Sequence, residues 1–143
     1  MRECSLIIIK TDAINRGLVG EIISRFEKVE FRIEEIKYCE PTKEQIKEHY
    51  KHLDEKIIEQ ICDYLKYVIV MVISGNNCVE KCRQMIGKTE GLYAPPGTIR
   101  GDFSSSTYKE APYDNDDGCT AIKNLIHASD SSISFVEERR IWF

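Results

Sequence analysis

The spacing of apolar and polar positions predicts an alternation of strands and helices. Leu6-Ile7-Ile8-Ile9 is an unbroken apolar run ended by Lys10, the pattern of a strand buried on both faces. Thr11 and Asp12, both helix-capping types, follow it. From Leu18 onward Leu18, Val19, Ile22, Ile23, Phe26 and Val29 recur at helical spacing, with Glu21 and Arg25 paired on the polar face. Phe31, Ile33 and, after a slip, Ile36 and Tyr38 alternate as a half-buried strand. Pro41-Thr42 opens a helical region through Tyr50, and Thr42 stands at capping-box distance from Gln45. A further helix covers Glu55 to Leu65. Tyr67 to Ile73 reads as a second buried strand, closed by Ser74-Gly75-Asn76. Asn77 is then expected to cap a helix carrying Val79, Cys82, Arg83 and Ile86, which stops at Gly87.

Residues 88–119 read mostly as loop, with glycines at 91, 97, 101 and 118 and prolines at 95, 96 and 112. A loop that long inside a domain is usually functional or partly disordered. Ala121 to Ile126 leads as a short strand into His127, and Ile133 to Arg140 forms a short helix. The terminal Ile141-Trp142-Phe143 must pack on its own domain or on a neighbour. Strands separated by helices around one sheet predict an α/β (α+β) sandwich of the ferredoxin-like β-α-β-β-α-β type, with an antiparallel sheet elaborated by extra helices and a long loop. A doubly wound parallel sheet competes, but the glycine-rich first turn it would need is missing. No repeat or linker divides the chain, so residues 1–143 are expected to form one domain.

Composition narrows the function classes. At 143 residues, 42% apolar and 31% charged, the chain is long enough for one packed core and is not of disordered type. A net charge of −4 argues against dedicated nucleic-acid binding. No apolar run reaches the roughly 20 residues of a membrane span, and Lys10 and Asp12 interrupt the first one too early for a signal peptide. The six cysteines, at 4, 39, 62, 78, 82 and 119, lack zinc-type pairing and read as buried thiols in a reducing cytoplasm, with Cys119 the most exposed.

The candidate chemistry centres on Asn124-Leu125-Ile126-His127-Ala128-Ser129-Asp130, which sets one imidazole at a strand end beside hydroxyl and carboxylate partners. Neither G-x-x-x-x-G-K-[ST] nor G-x-G-x-x-G occurs, so phosphates would be held by side-chain cations, Lys10, Arg83 and Arg100. Taken singly, Lys10 and Arg83 read as solvated, whereas Arg100 in its turn-rich loop could clamp a phosphate bidentately. His49 and His52 sit among Lys47, Glu48, Lys51 and Asp54, the composition of a solvated helix face.

Taken together, these segments resemble the nucleoside diphosphate kinase family. Asn124 to Asp130 is similar to its active-site segment, and Pro96-Gly97-Thr98-Ile99-Arg100-Gly101-Asp102-Phe103 to its phosphate-binding loop. Arg16 to Glu27 is similar to its first helix and Ile141-Trp142-Phe143 to its ending, in family order from about residue 4 onward. The resemblance implies ping-pong transfer of a γ-phosphate from a nucleoside triphosphate to a nucleoside diphosphate through phosphohistidine on His127. It implies that Lys10, Arg83, Thr89 and Arg100 hold phosphates, and that Asn124 bonds the sugar 3′-hydroxyl. Tyr50 would pack near the histidine, with Ser129 and Glu138 orienting it. Mg²⁺ would arrive with the nucleotide, without a dedicated protein cage. The family also implies a homo-oligomer, a hexamer ahead of a tetramer or dimer, and a cytoplasmic enzyme.

The chain departs from the family at several positions. Asp54 to Ile58 replaces a segment ending Pro-Phe-Phe, so Ile58 would cover a base where an aromatic ring usually stacks. Thr11 replaces a proline, Glu30 a helix-ending glycine, and Gly91 a proline in a loop that contacts neighbouring subunits. A polar insertion lies within about 104–119 and carries Glu110, Asp114, Asp116 and Asp117; it reads as a solvated excursion. The altered 54–58 segment keeps a second reading open, a catalytically weakened nucleotide-binding or interaction module of the same fold.

Overall fold

The computed structural model describes residues 1–109 and 122–143. A four-stranded sheet of order β2-β3-β1-β4, built from β1 (Arg2–Ile9), β2 (Arg32–Cys39), β3 (Val68–Asn76) and β4 (Ile126–Ala128), is antiparallel throughout. Helices α1 (Thr11–Asn15), α2 (Val19–Lys28), α3 (Lys43–His49), α4 (Glu55–Tyr64), α5 (Cys78–Ile86), α6 (Ile99–Phe103) and α7 (Ser132–Trp142) accompany it, with a 3-10 turn at Gly91–Tyr93. This is the ferredoxin-like α+β arrangement expected from the pattern.

The two unbroken apolar runs are explained by cover on both faces of the sheet. Along β1, Ile7 and Ile9 enter a cluster with Ile22, Phe26 and Ile86, while Leu6 and Ile8 enter a second cluster with Ile46, Ile61 and Trp142. Met71 and Ile73 of β3 join the first cluster, and Val68 and Val70 the second. Strand period two therefore feeds two cores from one strand. On β4 the same period sends Ile126 and Ala128 into the first cluster, which turns His127 towards the α3–α7 side.

The edge strand β2 corrects one expectation. The register shift between Ile33 and Glu35 is the expected slip and sets Ile36 and Tyr38 opposite Met71 and Ile69, on the face of Ile33, but at the sheet edge they are 51% and 61% exposed instead of half-buried. Asn77 also differs: it adopts a left-handed conformation, and its side chain caps nothing. Glu3 supplies the carboxylate instead, accepting from the Val79 amide at 3.2 Å. Thr11 and Asp12 lie inside α1 and act as tethers. The Thr11 hydroxyl donates to the Tyr67 carbonyl at 2.6 Å, and Asp12 Oδ2 accepts from the Leu125 amide at 3.0 Å.

The glycine replacement at Glu30 has a visible consequence. The Phe31 amide donates to the Phe26 carbonyl and the Glu30 amide to the Glu27 carbonyl, which is a Schellman end, and it forces Glu30 to φ 68°. Glu30→Gly is therefore expected to stabilise the fold by about 1 kcal/mol, read from the denaturation midpoint at constant m-value. Gly91 has a different rationale: a Cβ there would meet the Ser104 side chain at 2.3 Å, so the loop closes on Ser104 only without one.

The tail packs on its own domain, with Trp142 buried in the second cluster. Cys78 and Cys82 are buried free thiols, and Cys4, Cys39 and Cys62 are free and partly buried. Residues 110–121, which hold Cys119 and the acidic part of the insertion, lie outside the described residues.

Candidate active site

His127 sits in the middle of β4, opposite Ile8 of β1. Its Nε2 lies 2.7 Å from Glu138 Oε2, and Ser129 Oγ donates to Glu138 Oε1 at 2.6 Å. A carboxylate only accepts, so the proton sits on Nε2 and the lone pair on Nδ1. Burial first, and the Lys10 cation second, hold the His127 imidazole far below its ordinary value, so it is neutral at pH 7. Burial likewise raises Glu138, with the Ser129 hydrogen bond opposing. Ser129 is itself fixed, because its Oγ accepts the Leu6 amide at 2.9 Å.

Lys10 ends β1 but does not turn to solvent. It is buried, and its Nζ donates to Asn124 Oδ1 at 2.8 Å. Burial, and then the Arg100 charge, lower its pKa to about 8, against the opposing charge of Asp12. Asn124 completes this link by donating from Nδ2 to the Thr89 carbonyl at 2.9 Å. Arg100, on α6, is buried and braces the same segment. Its guanidinium donates to the carbonyls of Asn124, Gly87 and Ile126 at 3.1, 3.0 and 2.6 Å. Three of its five N–H groups are thus engaged with backbone, which leaves two for a ligand. Burial first, and the neighbouring Arg83 charge second, lower its pKa to about 10. Arg83, on α5, is exposed and pairs with Asp130 at 3.0 Å.

Between Asn124 and His127 the chain passes through Leu125 at φ 75°, a conformation that costs a β-carbon residue roughly 1–3 kcal/mol. The Asp12 carboxylate and the Lys10 amide hold both peptide groups of Leu125, accepting its N–H and donating to its C=O at 3.0 and 2.9 Å. The kink sets Asn124 towards Lys10 while Ile126 returns to the core.

Two expectations change here. His49 is not on a solvated face: its side chain is 2% exposed and its ring stands edge-on to His127, with centroids 4.6 Å apart. An apolar stripe, Ile46, His49, Tyr50 and Leu53, carried that signal at helical spacing. Tyr50 packs on His49 at 4.6 Å and so lies one ring from His127; burial and then the Glu138 charge raise its pKa. Ile58 is not brought to the site. It is 7% exposed in the second cluster and borders a cavity of about 810 Å³ lined by Lys43, Lys47, Lys51 and Lys66. Its neighbour Ile57 is the half-buried apolar residue on the first turn of α4.

The arrangement is one nucleophilic imidazole nitrogen facing three cations, which suits transfer of a phosphoryl group. Comparison with known proteins agrees. The family model described as nucleoside diphosphate kinase matches residues 3–143. The chain is 43% identical over 144 residues to the nucleoside diphosphate kinase of Pyrococcus furiosus, covering 99% of this chain and 83% of that one. It is 36% identical to the nucleoside diphosphate kinase of Picrophilus torridus, covering 100% of this chain and 95% of that one. A solved nucleoside-diphosphate kinase from Borrelia burgdorferi, a transition-state mimic with bound vanadate and ADP, superposes with a TM-score of 0.88 at 33% identity, covering 99% of this chain and 87% of that one. With a match that runs almost end to end, in sequence and in fold, the chain belongs to the nucleoside diphosphate kinase family.

Proposed function

We propose that His127 is the phosphate carrier of this phosphotransferase. The observation that carries this reading is the 2.7 Å contact from Nε2 to Glu138, which leaves Nδ1 as the free nucleophile. Nδ1 attacks the γ-phosphorus of a nucleoside triphosphate, and the bond from phosphorus to the bridging oxygen breaks. The electron pair leaves with the nucleoside diphosphate. A second diphosphate then attacks the phosphohistidine through a terminal oxygen, and Nδ1 departs with its lone pair restored. Glu138, anchored by Ser129, balances the positive charge the ring gains during transfer.

Lys10, Arg83 and the two remaining N–H groups of Arg100 neutralise the phosphates, with Thr89 beside them. Asn124 and Lys10 share the sugar 3′-hydroxyl, and Tyr50 backs the histidine pair. Mg²⁺ would arrive on the nucleotide phosphates, and Asp130, paired with Arg83, is the exposed carboxylate that would help hold it. When bound, Mg²⁺ would supply charge neutralisation on the phosphates. Incubation with γ-labelled ATP tests the reading: acid-labile, alkali-stable label on the protein should be discharged by a nucleoside diphosphate. A protein that stays unlabelled would favour the weakened-module alternative.

The base rests on Ile57 rather than Ile58. Aliphatic cover lacks aromatic stacking worth about 1–3 kcal/mol on nucleic-acid binders. Ile57→Phe is therefore expected to lower KM roughly tenfold with kcat unchanged. Ile58→Phe should instead overpack the second cluster and cost about 1–3 kcal/mol of stability. An unchanged KM in Ile57→Phe would remove the base from this turn.

Residues 1–143 work as one domain, which the single family match over 3–143 supports; most of the polar insertion lies outside the described residues. The functional unit is a homo-oligomer, a hexamer ahead of a tetramer or dimer. Exposed Ile36 and Tyr38 on the edge strand, and Leu92 and Tyr93 in the loop, supply apolar surface for it. Light scattering should give a multiple of the 16.5 kDa chain mass. The proposed compartment is the cytoplasm, in keeping with five free cysteines among the described residues. No helix among these residues is long and apolar enough to cross a membrane.

A further inference from the structure

His49 is a buried ionisable group that the transfer steps above leave without a task. Its ring is enclosed by three others: Tyr50, His127 and Trp142, at centroid distances of 4.6, 4.6 and 5.7 Å. The Trp142 indole Nε1–H donates to His49 Nδ1 at 3.0 Å. An indole nitrogen can only donate, so Nδ1 carries the lone pair and the neutral ring carries its proton on Nε2. That Nε2–H faces Glu138 Oε2 at 3.8 Å, the same oxygen that holds His127 at 2.7 Å. Burial first, and the neighbouring His127 second, keep His49 neutral, so it presents a dipole to Glu138 and no full charge.

The chain Trp142–His49–Glu138–His127 links the end of α7 and the end of α3 to the reacting ring. We propose that His49, oriented by Trp142, is a positioning residue for phosphoryl transfer. It packs edge-on against His127 and points an N–H at the Glu138 carboxylate, so that the imidazole keeps Nδ1 towards the entering phosphate. The inference rests on His127 as the phosphate carrier. Two effects follow. The edge contact opposes the ring flip that would exchange Nδ1 and Nε2. The His49 dipole favours ionised Glu138 as positive charge develops on His127, so the Nε2 proton stays on the ring.

The same three side chains also bring nitrogen and oxygen atoms within 4.8 Å of one another, a two-histidine, one-carboxylate set of the kind that binds zinc. The indole argues against that use. A protonated Nε2 offers no lone pair, and moving its proton to Nδ1 would leave the buried Trp142 N–H facing another N–H.

The test uses the full chain and reads turnover and phosphoenzyme formation separately. His49→Asn, which loses the N–H that faces Glu138, is expected to lower kcat and the phosphorylation rate about tenfold with KM within about twofold of the parent. His49→Gln, whose longer amide can offer an N–H to Glu138, should recover at least about threefold of that loss. Trp142→Phe keeps an aromatic ring but removes the N–H. It should lower kcat in the same direction, and the double variant should be no slower than His49→Asn alone. Nitrogen NMR should show the Nε2–H tautomer of His127 in the parent and a tautomer mixture in His49→Asn. Three results would each overturn the proposal. One is phosphorylation per folded molecule unchanged in His49→Asn. Another is losses that multiply in the double variant. The third is Zn²⁺ inhibition of the parent that His49→Asn abolishes. A parent that takes up no label would instead refute the phosphate-carrier reading itself.

Discussion

His127→Ala is expected to take up no label from γ-labelled ATP and to lose on the order of 10⁴-fold or more in kcat, as removal of a covalent nucleophile does elsewhere. The change deletes the proposed nucleophile beside the cations and leaves their geometry in place. Asn124, Lys10 and Arg100 do not bond to the ring, so the phosphate-binding side chains keep their partners. The fold should survive as well, because the β4 residues that build the core are Ile126 and Ala128. Nucleotide affinity, read by equilibrium binding of ADP, is therefore expected to change by less than about threefold while turnover disappears. Glu138→Gln should be milder, about 10–100-fold in kcat, since an amide can still accept from Nε2 but no longer balances charge. Label that persists in His127→Ala would move the covalent step to another residue.

Strand period two made much of the fold legible, because β1 and β3 carry apolar residues on both faces and had to be central. The edge strand was read less well. The slip that brings Ile36 and Tyr38 onto the face of Ile33 was legible in the alternation, but nothing local says that an edge position leaves both of them exposed. Caps divided in the same way. Thr42 and Gln45 are local partners and form the capping box as read. The end of α5 is capped by Glu3, 76 residues away, and no local pattern could announce that.

The site was legible through resemblance, but the reasons its residues work together were not. Lys10, Arg100 and Asn124 stand apart in sequence and meet because β1 and β4 are neighbours and Arg100 of α6 bonds the Asn124 and Ile126 carbonyls. Arg100 looked like a free clamp, yet three of its five donors are bound to backbone, two to the segment that leads into the histidine and one to the end of α5. His49 was misread because charged neighbours on α3 outweighed the stripe of Ile46, Tyr50 and Leu53 that shares its face. Ile58 is buried in the second cluster, which is why the proposed base cover falls on Ile57 instead. Adjacent residues on a helix point about 100° apart, so a one-residue ambiguity between Ile57 and Ile58 exchanges surface for core. Glu30 is the opposite case: a missing glycine correctly announced strain, because a Schellman end needs positive φ whichever residue occupies it.

Lys10→Met is expected to make the protein more stable at pH 7 and nearly inactive. Burial and the Arg100 charge bring the Lys10 pKa from 10.5 to about 8. The unfolded chain therefore holds a proton that the folded protein gives up between those values. Stability must then rise with pH from about 8 to 10.5, and below 8 the charged amine opposes folding by about 3 kcal/mol. Methionine removes that opposition, but it leaves the buried Asn124 Oδ1 without its donor, a loss of about 1–2 kcal/mol. The net gain at pH 7 is about 1–2 kcal/mol, and it should shrink and reverse when both proteins are unfolded in denaturant near pH 10.5. Activity runs the other way. The charged amine is what the transferred phosphate needs, so kcat/KM of the parent should fall with unit slope above pH 8. The His127 imidazole, already neutral, adds no limb between pH 5 and 7. Lys10→Met should lose about 10²–10³-fold in kcat/KM and its alkaline limb together. A variant less stable than the parent at pH 7, or one that keeps the limb, would show that the Lys10 charge is solvated in the free enzyme and that another group sets the profile.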